Sequence, residues 1–316
     1  MKIVILDAAT IGKDIDLGIF NQFGEVVIFE QTTKAEAAER LIDADVAILN
    51  KVKLDQSNLS GAKNLKIICL TATGFDNVDT DYARQNGIAV CNVKGYSTDS
   101  VAQLTVSLVL SLCCHLSEYD RYCKSGDYTK SGIANCLTPY FYELSGKTWG
   151  LYGYGNIGKQ VAMVAKAFGC NVIVTKNTPD ESVECVELDD LFKRSDIVSV
   201  HTPLNPGTYH AIGAEVLAKA KQKLILINVA RGAVVDEEAV TKAVEDGTLG
   251  GFATDVYDGE PMSETSPFNR LLKCDNVIFT PHMAWGAYEA RVRLMEEIAE
   301  NIRDFFQGKI RNRVEI

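Results

Sequence analysis

Arg231, Glu260 and His282 are the residues whose types could together do chemistry on a small polar molecule. An imidazole, with an ordinary pKa near ~6.5, can give or take a proton at a carbinol or carbonyl oxygen around neutrality. A carboxylate beside it fixes the tautomer and stabilises the imidazolium. A guanidinium can clamp a carboxylate bidentately and polarise a carbonyl. This set suits hydride transfer to or from a carbon bearing oxygen, because that oxygen must gain or lose a proton as the hydride moves. Each residue also has a plain reading. Arg and Glu at strand ends are usually solvated, and Arg231 could simply pair with Asp255. His282 competes with three other histidines: His115 in an apolar helix reads as a core residue, His210 lies in a polar loop, and His201 precedes a turn, Thr202-Pro203. Position favours His282.

A second chemical signal is Gly153-Tyr154-Gly155-Asn156-Ile157-Gly158. It follows a short strand, Thr148–Tyr152, and opens a helix with apolar positions at Ile157, Val161, Val164, Ala165 and Phe168. A second strand begins at Val172–Val174. In that context Gly153 allows the tight turn, Gly155 lets backbone approach a pyrophosphate, and Gly158 lets the helix pack on the strand. The helix N-terminus offers N–H groups to the phosphates. Dinucleotide binding is the expectation. A site for NAD usually carries an acid at the end of the second strand. Here the place is taken by Thr175-Lys176-Asn177. Lys176 can meet the 2′-phosphate of NADP or be a solvated strand-end residue, and both readings stand.

The elements that must position these residues are legible in order. Lys2–Asp7, Glu25–Glu30, Asp45–Asn50, Lys66–Ala72 and Ile88–Val93 read as strands, with helical patterns at Thr33–Ile42 and Asp79–Asn86 between them. Alternating strands and helices imply a parallel sheet covered by helices. The loop 71–77 sits at the C-terminal end of a strand, where open α/β sheets bind ligands. It reads either as a tight turn or as backbone N–H groups, at Thr73-Gly74, held out to an anion. Further strands at Asp196–Val200, Leu224–Asn228, Gly251–Thr254 and Val277–Phe279 end in His201, Arg231, the stretch 255–260 and His282 respectively. Parallel strands put such ends on one rim. Ala287–Gln307 is a final amphipathic helix.

Composition bounds the rest. A length of 316 residues accommodates two domains, and 47% hydrophobic with 23% charged residues is the balance of a soluble globular protein. A net charge of -10 disfavours nucleic acid and anionic membranes as partners. The nine cysteines show no C-x-x-C spacing and read as reduced thiols in a cytosol. The N-terminus enters a strand directly, which reads as no signal peptide. Val101–Leu116 is the most apolar stretch, but Gln103, Thr105, Ser107, Ser111 and His115 interrupt it, so it reads as a buried helix rather than a membrane span. Either the domain junction or a second subunit could cover it. The aperiodic, aromatic stretch 125–144 looks like an excursion wrapped on a partner.

Several ordered motifs together resemble the D-isomer-specific 2-hydroxyacid dehydrogenases. They are Gly153–Gly158, Thr73–Asp79, Asn228–Gly232, Asp255 with Glu260-Pro261, and Pro281–Trp285. The resemblance implies an α/β protein of two Rossmann-like, doubly wound parallel-sheet domains with a cleft between them. The substrate domain would be 1–98 plus 288–316, a flavodoxin-like variant. The dinucleotide-binding domain would be 99–287, carrying a helix that builds a homodimer. It further implies catalytic roles for Arg231, Glu260 and His282. Cofactor contacts fall on Gly155, Asn156, Ile157, Gly158, Thr202, Pro203, Val229, Ala230, Arg231, Asp255 and Thr105, and Thr73 and Gly74 would hold the substrate carboxylate. Gly95–Gln103 and His282–Trp285 look most like the glycerate dehydrogenase (hydroxypyruvate or glyoxylate reductase) group. The expectation is therefore NAD or NADP as cofactor and a small 2-oxo or 2-hydroxy acid as substrate. D-lactate and phosphoglycerate remain alternatives, as does a dinucleotide-sensing, corepressor-like interaction protein.

Overall fold

The computed structural model describes residues 1–316. They divide into two compact units, Met1–Ser97 with Gly286–Ile316, and Thr98–Trp285.

In the first unit, β1 (Lys2–Ile5), β2 (Glu25–Ile28), β3 (Val46–Leu49), β4 (Ile67–Leu70) and β5 (Ala89–Cys91) form an all-parallel sheet in the order β2-β1-β3-β4-β5. VAIL and IICL in β3 and β4 are buried along their whole length, as strands covered on both faces must be. One face packs Val4, Leu6, Ala47, Leu49, Ile68 and Leu70 against Ala37, Leu41, Leu59 and Ala83 of the intervening helices. Thr33 starts one of these, Lys34–Arg40, with a full capping box closed by Glu36. The helix Tyr288–Phe306 lies on β4 and on the 3-10 segment Leu17–Phe23, burying Leu294, Met295, Ile298 and Ile302. Arg291 ties it to Asp14 and to the Ile11 carbonyl, and Asn301 Nδ2 donates to Asn92 O (3.1 Å). Both ends of the chain thus build this unit.

The second unit carries β6 (Thr148–Tyr152), β7 (Asn171–Thr175), β8 (Glu184–Cys185), β9 (Ile197–Val200), β10 (Leu224–Asn228), β11 (Leu249–Thr254) and β12 (Val277–Phe279). All pair in parallel, in the order β12-β11-β10-β9-β6-β7-β8. Connections run outward in opposite senses on either side of the β6–β9 pair. That pair is the switch point at which such sheets open a crevice beyond their carboxyl ends. The helix Thr98–Cys113 is covered within its own unit: it packs on the helix Asn156–Ala167 and on β10, β11 and β12. Val101, Ala102, Leu108, Val109 and Leu112 face that core, while Gln103 and Ser107 stay exposed. No single helix is long and apolar enough to cross a membrane; Thr98–Cys113 and Leu116–Lys124 meet at a 61° bend.

Candidate active site

The glycine loop is shaped by close approach. Gly153 has φ of +104°, donates its N–H to Thr175 O (2.9 Å), and presses against the end of β9. A Cβ there would lie 2.6 Å from the carbonyl carbon of His201, and one on Gly158 would lie 2.4 Å from Gly153 O. At Gly155 the same construction meets nothing within 4 Å. No side chain caps the helix that starts at Asn156. The loop is thus tight behind and open in front, and the first-turn N–H groups remain available to an anion. That is the cradle a dinucleotide pyrophosphate needs, and these residues fit one.

Beside the loop, β9 ends in His201. Trp149 Nε1 donates to Ser199 Oγ (2.9 Å), which also lies 2.9 Å from His201 Nε2. Its Nδ1 is buried and has no hydrogen-bond partner, although the residue as a whole is only half-buried. Burial pushes this histidine down to about 3. It is neutral at every working pH, which disfavours it as the proton donor. The sign of the linkage is fixed. Below the unfolded pKa of about 6.5 the unfolded chain binds a proton that the folded one refuses, so stability falls as pH drops toward 3, by up to ~1.4 kcal/mol per unit. In urea titrations from pH 7 to pH 5 the wild-type protein is expected to lose about 2 kcal/mol more than His201→Gln. Equal losses would show that His201 does not carry the acid lability.

Thr202 and Pro203 continue from His201 into a turn fastened by the Thr208 hydroxyl, which donates to Pro203 O (2.7 Å). Thr105 differs from its expected place on the cofactor. It is fully buried in the helix Thr98–Cys113, and its hydroxyl donates to Val101 O (2.7 Å), so it presents no surface to a ligand. His115 is not a core residue either. It stands at the bend after that helix with φ of +51°, its Nδ1 3.0 Å from Glu118. His210 stacks on Tyr209 with ring centroids 4.0 Å apart, and its Nε2 lies 3.7 Å from Asp258.

Arg231, Glu260 and His282 lie beyond the ends of β10, β11 and β12, which are adjacent in the sheet. Asn228 organises the first: its Oδ1 accepts from Ala230 N (3.1 Å) and its Nδ2 donates to Arg231 O (2.9 Å). Val229 is buried and Ala230 half-buried. Gly232 then sits flush on the next loop, where a Cβ would come within 1.9 Å of the Tyr257 carbonyl carbon. The Arg231 turn and the loop carrying Glu260 are therefore packed backbone to backbone. Arg231 does not pair with Asp255; its Nη1 donates to Ala230 O (2.8 Å). The Asp255 carboxylate is already engaged, and by the loop that bears His282. Oδ1 accepts from Thr280 Oγ1 (2.6 Å) and Met283 N (2.9 Å), and Oδ2 from Ala284 N (2.8 Å).

His282 lies inside this clamp with φ of +53°, a left-handed conformation that costs a non-glycine residue on the order of 1 kcal/mol. Its Nδ1 is 2.6 Å from Glu260 Oε2. The imidazole and the carboxylate keep about a quarter of their side-chain surface, 26% and 27%. The pair is thus aligned yet reachable, with Nε2 on the side away from Glu260. The Glu260 loop has its own anchors. Glu237, nearly buried, accepts from Asp258 N (3.0 Å) and Ser266 Oγ (2.5 Å), and the Tyr257 hydroxyl donates to Thr280 O (2.9 Å). Sequence reasoning gave no individual role to Glu237, Tyr257 or Asn228, and read Asp255 as a ligand contact or a partner of Arg231. The one available signal was an acid or amide directly at a strand terminus. No group of three or more His, Cys, Asp and Glu side chains converges as a metal ion would require.

In the first unit, the Thr73-Gly74 turn is pinned from three sides. Thr73 Oγ1 donates to Val93 O (2.8 Å), Asn92 Nδ2 donates to Thr73 O (2.6 Å), and Asn77 Nδ2 bridges Asn50 O and Val52 O at 3.1 and 2.9 Å. The Thr73 hydroxyl is spent on this anchoring, which leaves backbone N–H groups as what the turn can offer.

Known proteins resemble this chain along nearly its whole length. The sequence profile of the D-isomer specific 2-hydroxyacid dehydrogenase NAD binding domain matches residues 106–284. A glycerate dehydrogenase of Methylorubrum extorquens is 37% identical over 99% of this chain and 99% of its own length. A hydroxypyruvate reductase of Blautia hydrogenotrophica is 33% identical, with 98% of each covered. An acyclic imino acid reductase solved in complex with NADPH and D-Arg matches with a TM-score of 0.87 at 28% identity, covering 99% of this chain and 100% of that one. With its profile, its relatives and two parallel α/β sheets in accord, the chain belongs to the D-isomer-specific 2-hydroxyacid dehydrogenase family.

Proposed function

We propose that the chain reduces a small 2-oxo acid, hydroxypyruvate or glyoxylate, to D-glycerate or glycolate with a nicotinamide dinucleotide. The observation that carries the reading is the 2.6 Å pairing of His282 with Glu260, on the same sheet edge as the Arg231 turn and the glycine loop. The 33–37% identical relatives named above support the choice of substrate. When bound, the nicotinamide supplies the hydride. Gly155, Asn156, Ile157 and Gly158 hold the pyrophosphate, and Thr202, Pro203, Val229 and Ala230 line its path. Arg231 holds the α-carboxylate and polarises the carbonyl. Glu260 keeps the Nδ1 proton of His282 in place, so Nε2 delivers its proton to the carbonyl oxygen as negative charge grows there. In the reverse direction neutral Nε2 takes the same proton back. Asp255 acts through the loop it clamps.

The protein acts as a homodimer in this reading. Ile133, Leu137 and Tyr140 are 63%, 66% and 72% exposed along the segment after the bent helix pair, an apolar surface that a second copy would cover. Nine free thiols, with burial pushing Cys91 and Cys113 up to about 12, fit a reducing cytosol. The test is direct. Absorbance of NADH and of NADPH is followed on adding hydroxypyruvate, glyoxylate, pyruvate and bulkier 2-oxo acids. Oxidation is expected fastest with the first two; no oxidation with any acid and either cofactor would overturn the reading.

A further inference from the structure

The strand-end acid expected at position 176 is absent, but an acid is present nearby. Asp180 Oδ2 lies 3.4 Å from Lys176 Nζ and 3.7 Å from Lys159 Nζ. Lys176 follows β7 directly, and Lys159 stands in the first turn of the helix that the glycine loop opens. Both ammoniums also stand over the ring of Tyr154, inside the loop itself, at 5.7 and 5.6 Å from its centroid. Two cations, one carboxylate and an aromatic face are thus gathered at the end of the second strand. That is where a parallel sheet of this order meets the adenosine ribose.

The carboxylate is placed independently of the lysines. Asp180 Oδ1 accepts from Ser182 N (3.1 Å) and Ser182 Oγ (2.6 Å), and Asp180 N lies 3.4 Å from Cys185 Sγ in β8. The Ser182 bonds, and after them Lys176, hold the acid down to about 2, so it is an anion at any working pH. Lys176 and Asp180 side chains are only 21% and 20% exposed, which limits screening by water. A ribose hydroxyl arriving here meets an acceptor. A 2′-phosphate arriving here meets two cations already satisfied by a fixed negative charge.

We propose that the Asp180 carboxylate, set between Lys176 and Lys159, discriminates the two dinucleotides: it accepts the ribose 2′-hydroxyl of NAD and competes with the 2′-phosphate of NADP for the two ammoniums. This rests on the reading that Gly153–Gly158 holds the dinucleotide. The acid that the strand end lacks is supplied four residues later, by a loop that folds back on it.

The test is binding, read without turnover. Dissociation constants for NADH and NADPH are measured by nucleotide fluorescence for the wild type, Asp180→Asn, Asp180→Glu and Lys159→Met. A hydrogen bond to a charged group, gained or lost, changes affinity by about tenfold or more. Asp180→Asn is expected to shift the NADPH-to-NADH affinity ratio at least ~10-fold toward NADPH. Lys159→Met is expected to shift it the other way. Asp180→Glu keeps the charge and is expected to stay near wild type, which separates charge from disturbance of the loop. An unchanged ratio in Asp180→Asn, or Asp180→Glu behaving like Asp180→Asn, overturns the inference while leaving the dinucleotide site intact. A wild-type protein that binds neither nucleotide removes the underlying reading and this one with it.

Discussion

Replacing His282 with alanine is expected to lower kcat by roughly 100- to 10,000-fold, the range that one positioned general acid contributes. The dissociation constant for the reduced dinucleotide is expected to change less than about threefold, because the proton donor and the phosphate cradle are different parts of the edge. Stopped-flow or steady-state rates with saturating 2-oxo acid, paired with a fluorescence titration of the cofactor, check both halves. The reasoning is geometric. His282 Nδ1 is committed to Glu260 at 2.6 Å, so the only exchangeable proton aimed away from the carboxylate is on Nε2. The other three histidines have other duties. His201 is kept neutral by burial, His115 pairs with Glu118, and His210 stacks on Tyr209. Turnover retained within threefold would show that the proton comes from elsewhere.

The second large effect is expected at Asp255, which touches no reacting atom in the proposed mechanism. Its two oxygens accept from Thr280 Oγ1, Met283 N and Ala284 N, and the residue is 1% exposed. In Asp255→Asn one acceptor oxygen becomes an NH2 group facing a backbone N–H. A buried donor left without an acceptor costs ~1–3 kcal/mol. The loop is expected to relax, and His282 with its left-handed backbone would be the first residue to move. The expected result is a kcat lowered at least ~100-fold, since small misplacement of a catalytic group is costly. The melting temperature should drop as well. Thr280→Ala removes one donor and leaves the carboxylate, so it should cost far less in both measurements. Equal effects of the two substitutions would deny Asp255 its positioning role.

The parts of this molecule that were legible in sequence are those written in local pattern. VAIL and IICL announce strands buried on both faces, and the glycine motif between a strand and an apolar-periodic helix announces the phosphate loop. The candidate residues Arg231, Glu260 and His282 were legible because each lies within six residues beyond a strand end, and parallel strands put their ends on one rim. What escaped was set by contacts between segments far apart in the chain. Asp255 reaches 28 residues ahead to Met283, and Glu237 reaches 21 residues to Asp258; neither spacing has a periodicity to read. His115 reads as core in sequence because the apolar stretch 101–116 includes it, whereas the helix breaks after Cys113. Asp180, which pairs with Lys176 at 3.4 Å, also escaped, because a loop return of four residues leaves no pattern to read.

The first unit has a consequence for how the polypeptide is made. Its sheet is complete once Cys91 has left the ribosome, but the helix that shields β4 spans Tyr288–Phe306. Nearly two hundred residues, the whole of Thr98–Trp285, must be synthesised in between. At 5–20 residues per second that interval is on the order of ten to forty seconds. For that time a greasy β-surface stands bare, and the middle of the chain can mature before the beginning does. Slow elongation or a truncated product would therefore show first as aggregation nucleated by the amino-terminal strands, a vulnerability that moving the terminal helix to the front by circular permutation should relieve.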